Sequence, residues 1–297
     1  MTIISRSYRH GEDFNSVMGF LRDTYSKTSS LENWLPPRFE NSAREMGDST
    51  HLWLDKENQG VISSIIAMAN PEEKNKYFIQ VDPDYAHLEK ELVDWIEKSS
   101  RMSSEKPYTL SIVILAGNRS RENLFEDMGF TRGKVYGFMM TRNLEDPNPG
   151  YSLPSGFSVR SVRPDDFSEI ASAIRVVFGH GEWFTGKILE QNSRATFYHS
   201  DLDLVAVDRD GRIVSFCTFR YDPPSGITEL EPMGTLPDYR GMGIAKAMLC
   251  EGYRRLRKYR PSLLYVGSAD NPAAKRLYEV TGFELVGPQV YWQKRVE

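Results

Sequence analysis

Along the second half of the chain, short runs with apolar and polar positions alternating are separated by longer runs with the 3.6-residue period of an amphipathic helix. The alternation predicts strands at residues 157–160, 204–208, 213–221, 227–235 and 263–266, with a closing strand pair at 284–286 and 290–293. Helices are predicted from Pro164, over 243–259, where Ala247, Met248, Tyr253 and Leu256 form one stripe, and over 272–281. The Asp210-Gly211 turn joins two strands as a hairpin. Such strands pair antiparallel, and the interleaved helices must cover the sheet. The expected fold class is therefore α/β (α+β), a mixed, mostly antiparallel sheet flanked by helices.

The same order occurs twice. Residues 118–130, NRSRENLFEDMGF, align without a gap onto 271–283, NPAAKRLYEVTGF, at a shift of 153. The Pro-Asp-Tyr at 83–85 recurs at 237–239, a shift of 154. Ser7, Arg9, Asp13 and Phe14 match Ser161, Arg163, Asp166 and Phe167, and Gly60-Val61-Ile62-Ser63 matches Arg212-Ile213-Val214-Ser215. Anchors in constant order at shifts of 152 to 154 identify a duplication. The breaker-rich run at 143–156, NLEDPNPGYSLPSG, places the joint near residue 150, giving domains 1–150 and 151–297.

Composition narrows the function. The 297 residues carry 37 Lys and Arg against 41 Asp and Glu, a net charge of −4 that argues against a surface built for nucleic acid or anionic lipid. The longest apolar stretches, at 61–69 and 111–116, are too short to span a bilayer, and the N-terminus has no apolar leader core. Cys217 and Cys250 form no C-x-x-C pair, which fits a reducing compartment. The five histidines make no ligand spacing, so no metal is expected. A cytoplasmic protein acting on a small molecule, without nucleic acid or membrane, is the resulting expectation; a homodimer stays open.

The most informative stretch is Pro237-Asp238-Tyr239-Arg240-Gly241-Met242-Gly243-Ile244-Ala245, between a predicted strand and a predicted helix. Free N–H groups at a helix start, with glycines admitting close approach, make an anion site, and Arg240 adds charge. A dinucleotide fingerprint would need Gly at 246, which is Lys, and no G-K-[ST] loop is present. The stretch resembles the acyl-CoA signature [QR]-x-x-G-x-[GA] of the GCN5-related N-acetyltransferase (GNAT) superfamily, supplied here as Arg240-x-x-Gly243-x-Ala245. A second signature of that family follows as Asn271-Pro-Ala-Ala-x-x-Leu277-Tyr278 and Gly282-Phe283. The chain thus resembles two tandem GNAT-like domains, the first divergent.

The resemblance implies that acetyl-CoA is the co-substrate. Its pyrophosphate would meet Arg240, Gly241, Met242, Gly243, Ile244 and Ala245, and its arm would meet Met233, Gly234, Thr235, Asn271 and Ala274. Pro232 is consistent with a break in the strand there. An N–H near Met233 or Gly234 would polarise the thioester carbonyl. Tyr278 occupies the position of the family's general acid. An ammonium of pKa about 10 needs a base, and Glu229 and Glu231, two apart on one strand, are expected to share a face toward the cleft, with Glu231 preferred.

The first repeat has Ala86-His87-Leu88-Glu89 opposite the Arg240–Gly243 turn and Phe125 opposite Tyr278, so chemistry is expected in the second copy alone. The first copy is then structural or substrate-shaping. The run Arg254, Arg255, Arg257, Lys258, Arg260 reads first as a solvated helix face, with a contact to the cofactor's 3′-phosphate as the alternative. Acceptor contacts are sought among Trp183, Phe184, Phe219 and Tyr221, with Phe178, His180, Tyr291 and Trp292 nearby in type, an aromatic set that suits an apolar or cationic acceptor. The leading reading is an acetyl-CoA-dependent N-acetyltransferase acting on a primary amine or amino-terminal group. O-acetyl or other acyl transfer, and a non-catalytic acyl-CoA sensor or scaffold, are the alternatives.

Overall fold

The structure is a computed structural model that describes residues 2–32, 34–46, 49–56 and 64–297. The first-half repeat anchor at 60–63 lies outside these residues. Two compact units are present, Met1–Met139 with Gly287–Glu297, and Met140–Val286. The division differs from a joint near residue 150 in one physical respect. Residues 287–296 of the second repeat's last strand belong to the first unit, and residues 140–142 that end the first repeat's last strand belong to the second.

In the first unit the elements run β1 (Thr2–Ser7), α1 (His10–Thr28), α2 (Pro36–Met46), β2 (His51–Lys56), β3 (Ser64–Glu73), β4 (Lys76–Val81), α3 (Glu89–Ser103), β5 (Tyr108–Leu115), α4 (Arg119–Asp127) and most of β6 (Thr131–Arg142). β1 to β4 pair antiparallel in order, β4 and β5 are parallel, and β5 pairs antiparallel with β12 (Glu284–Val296). Apolar side chains of alternating strand positions meet the helices in two layers: Trp53, Ala67 and Trp292 with Ile96 of α3 in one, Leu52 and Met68 with Phe20 of α1 and Phe39 of α2 in the other.

The second unit runs β7 (Ser158–Ser161), α5 (Phe167–Phe178), α6 (Gly186–Asn192), β8 (Asp203–Val207), β9 (Ile213–Asp222), β10 (Ile227–Thr235), α7 (Ile244–Leu256), β11 (Leu263–Ala269) and α8 (Pro272–Val280). β7 to β10 are antiparallel neighbours and β11 joins parallel to β10. The expected closing strand pair at 284–286 and 290–293 is instead the single strand β12. Gly287 and Pro288, breakers that suggest a turn, stand where the chain passes from one unit to the other.

The linker is fixed along α7. Arg257 donates to the Leu144 and Asp146 carbonyls at 3.1 and 2.8 Å, and Asn148 donates to the Cys250 carbonyl at 3.2 Å. Arg254 and Arg255 pair with Glu251, and Lys258 pairs with Asp201. Four members of the basic run therefore serve local structure. No helix among the described residues is long and apolar enough to cross a membrane.

Candidate active site

β10 sets the site. It is parallel to β11 at Ile227, Thr228 and Glu229 and at no later residue, while a bulge between Leu230 and Met233 interrupts its register with β9. Pro232 has no N–H to give a ladder and sits inside that bulge. The two strands part after Glu229. Beyond the bulge Leu236 N–H donates to the Val214 carbonyl at 2.9 Å, which fixes the alternation. Gly234 then faces β9 with its backbone polar groups, whereas Met233 and Thr235 present theirs to the open edge.

The bulge separates the two glutamates, contrary to a shared face. Glu229, 2% exposed, accepts from Arg220 Nη1 at 3.1 Å, and the Arg220 guanidinium lies 5.5 Å from the Phe197 ring centre. This side chain is held in an interior ion pair. Glu231 lies in the bulge, half-buried, and its charge reaches Tyr278.

Tyr278 comes from α8 and is buried among Phe219, Leu230, Tyr253 and Phe283. Burial pushes its phenol well above the ordinary value, and the Glu231 charge raises it further. Tyr278 is therefore protonated across the neutral range. Asn271 accepts from the Ala273 and Ala274 N–H groups at 3.0 and 3.3 Å and is thus the N-cap of α8. Ala274 packs partly buried against the same cluster as Tyr278.

The glycine turn sits at the start of α7. Gly241 and Gly243 adopt φ +77° and +83°, and no atom lies within 4 Å of where a Cβ would stand at either. Gly243 is the N-cap and has no side chain to satisfy the helix's first N–H groups. Gly241, Met242 and Gly243 are exposed, Ile244 is buried beneath them, and Ala245 is half-buried. Arg240 is turned back, donating from Nε to the Thr235 carbonyl at 3.1 Å. The turn presents N–H donors into open space at the positive end of a helix dipole, a fit for a pyrophosphate.

The aromatic candidates divide. Trp183, 62% exposed, and Phe184 group with His180 and Phe178, and Phe178 reaches Phe216 at 6.1 Å. Phe216 and Val177 in turn close over Gly234, where a Cβ would meet them at 2.5 and 2.9 Å. Phe219 and Tyr221 do not join them. Phe219 is fully buried, with its ring where a Cβ on Gly252 would stand, and Tyr221 is 9% exposed, donating to the Tyr259 carbonyl at 3.2 Å. Their odd-numbered alternation on β9 puts both on the α7 face, opposite Phe216. Tyr291 and Trp292 belong to the first unit. No group of three or more His, Cys, Asp or Glu side chains among the described residues could hold a metal ion.

Reading residues one at a time missed Ser215. Its buried Oγ donates to the Gly234 carbonyl at 2.7 Å and lies 2.8 Å from Thr235 Oγ1. A serine in the middle of an apolar strand was the available signal.

Residues 169–283 match the family profile described as the Acetyltransferase (GNAT) family. A mycothiol acetyltransferase of Acidothermus cellulolyticus is 30% identical over 187 residues, 56% of this chain and 56% of that protein. One from Geodermatophilus obscurus is 31% identical over 179 residues, 56% of this chain and 57% of that protein. The matched region thus spans just over half the length of these curated relatives. Among solved structures, a GCN5-related N-acetyltransferase from Sphaerobacter thermophilus aligns with TM-score 0.68 at 21% identity, covering 99% of this chain and 95% of that one. A tandem GNAT protein from the clavulanic acid biosynthesis pathway aligns with TM-score 0.71 at 12% identity, covering 99% and 98%. The fold is that of tandem GNAT proteins, and the match to the GNAT family profile lies at 169–283.

Proposed function

We propose that the second unit transfers an acetyl group from acetyl-CoA to a primary amine of a small molecule. The observation that carries this reading is the conjunction at the end of β10: an open strand edge, an uncapped glycine turn starting α7, and Tyr278 within reach of the Glu231 charge. The relatives' name, mycothiol acetyltransferase, agrees with a small-molecule acceptor.

In this reading acetyl-CoA supplies an activated acyl group. The N–H groups of Gly241 to Ala245 hold its pyrophosphate, and the edge at Met233 and Thr235 pairs with its arm. The register favours Met233 over Gly234 as the donor to the thioester carbonyl, since the polar groups of Gly234 face β9. The amine nitrogen bonds to the carbonyl carbon and the C–S bond breaks. Glu231 accepts the proton the nitrogen loses, and Tyr278 gives its proton to the departing thiolate. The bulge and the ion pair with Arg220 favour Glu231 over Glu229 as base. Trp183 and Phe184, with His180 and Phe178, form the acceptor wall, which suits an acceptor carrying a flat apolar or cationic group. The first unit, where Glu89 and Phe125 replace the glycine and the acid, is structural.

Purified protein is titrated with acetyl-CoA, and thiol release is then followed across amines, alcohols and amino-terminal peptides. Turnover confined to amines and sharply lowered in Tyr278→Phe is expected. Binding without turnover on the whole panel would replace this reading with that of an acyl-CoA sensor.

A further inference from the structure

A buried pair of hydroxyls stands behind the open edge of β10. Ser215 has one proton, and it is donated to the Gly234 carbonyl at 2.7 Å. The 2.8 Å contact between Ser215 Oγ and Thr235 Oγ1 is then a bond donated by Thr235. The relay runs Thr235 hydroxyl, Ser215 hydroxyl, Gly234 carbonyl. That carbonyl shares its peptide group with the Thr235 N–H, which faces the open edge. Loading the carbonyl fixes the peptide plane and polarises the N–H on its far side.

We propose that Ser215 is a positioning residue for acyl-CoA capture: through the Gly234 carbonyl it aims and strengthens the Thr235 N–H that meets the cofactor arm. The inference rests on the acyl-CoA reading above. Two observations support it beyond the bonds themselves. Ser215 is fully buried on β9, so its hydroxyl serves no solvent-facing purpose. The first repeat, whose turn lacks both glycines, has Val81 at the position of Thr235, packed in the apolar layer with Trp53 and Ile79, where no hydroxyl can enter such a relay.

The test compares wild type, Ser215→Ala, Thr235→Val and Thr235→Ser. Each is titrated calorimetrically with acetyl-CoA, and the Thr235 amide proton is followed by NMR. Wild-type binding of acetyl-CoA tests the acyl-CoA reading alone. Given that binding, Ser215→Ala and Thr235→Val are expected to weaken it by about five- to tenfold, as the loss of one buried hydrogen bond would. KM for acetyl-CoA should rise more than kcat falls, and the Thr235 amide should shift upfield. Thr235→Ser keeps the relay and should recover most of the affinity that Thr235→Val loses. Unchanged affinity and an unmoved amide in Ser215→Ala would overturn the proposal, as would a Thr235→Ser variant as weak as Thr235→Val.

Discussion

Arg121 and Glu89 pair at the two positions that the repeat aligns with Ala274 and Gly243. Arg121 Nε lies 3.2 Å from Glu89 Oε1, Arg121 Nη1 lies 2.9 Å from Glu32 Oε2, and Arg121 is 6% exposed. In the second unit the same two positions hold the smallest side chains available, beside a turn with open space at both glycines. The first unit fills its counterpart with a cation between two carboxylates.

Arg121→Ala would leave the half-buried Glu32 and Glu89 without their cation, at a cost of about 1–3 kcal/mol. Arg121→Met with Glu89→Gln and Glu32→Gln removes every charge at once and should restore most of that loss. Denaturant unfolding of the single and triple variants measures the difference. Equal losses would mean that the pair contributes packing and not charge. If the first unit is structural, neither variant should change acetyl-CoA affinity in the second.

His51 predicts an acid-sensitive first unit. Its ring stacks on Trp95 with centroids 4.1 Å apart, and among the described residues neither ring nitrogen finds a hydrogen-bond partner. Burial lowers its pKa from the ordinary 6.5 to about 4. The folded form therefore binds fewer protons than the unfolded form between these values, and stability falls as pH drops from about 6.5 to about 4. At about 1.4 kcal/mol per pKa unit the loss amounts to a few kcal/mol. In His51→Phe that part of the pH slope should vanish from chemical denaturation curves. A slope retained in full would place the sensitivity elsewhere.

Gly252 and Phe219 give a packing prediction that also tests the placement of Phe219 away from the acceptor. A Cβ on Gly252 would stand 2.1 Å from Phe219 Cε2, and the ring is boxed in by Tyr253 at 6.0 Å between centroids. Gly252→Ala should cost about 1–3 kcal/mol through overpacking. The melting temperature should fall while KM for the acceptor in the folded enzyme stays near wild type. A large acceptor KM effect with unchanged stability would return Phe219 to the acceptor wall.

Much of the fold is legible from the repeat because the two halves share turn chemistry and periodicity at a fixed shift. The glycine turn and Asn271 are legible for the same reason: a tight turn and a helix cap are local devices, written in adjacent residues. The ends of β6 and β12 are not. Gly287 and Pro288 carry the signals of a hairpin, and nothing nearby says that the next residues pair with β5, more than 170 positions earlier. The relation of Glu229 to Glu231 also fails from pattern alone. Period two puts both on one face, but a bulge of two residues, set by tertiary pairing of β9 with β10, separates them. Phe219 and Tyr221 are aromatic for the core, and composition cannot distinguish that from an acceptor wall.

That separation assigns the two carboxylates opposite fates. Glu229→Gln breaks the ion pair with Arg220 and should lower stability by a few kcal/mol, in the range for a buried pair losing one charge, with a modest change in kcat. Glu231→Gln should do the reverse, lowering kcat by about 10²- to 10⁴-fold, the usual contribution of a positioned base, with stability near wild type. The coupling to Tyr278 adds a second signature. The Glu231 charge raises the Tyr278 phenol, so removing it must lower that pKa, and a basic limb of kcat set by Tyr278 must move to lower pH. The same electrostatics links the proton transfers in the intact enzyme. Once Glu231 has taken the amine proton it is neutral, and Tyr278 is a stronger acid when the thiolate departs. The pH profile of kcat in wild type, Glu231→Gln and Tyr278→Phe decides the matter. The residual rate of Glu231→Gln should rise with pH as the amine deprotonates itself, up to an earlier basic limb, and Tyr278→Phe should lack that limb altogether. A basic limb unmoved in Glu231→Gln would show that the two groups titrate independently, and one that persists in Tyr278→Phe would remove Tyr278 from the role of acid.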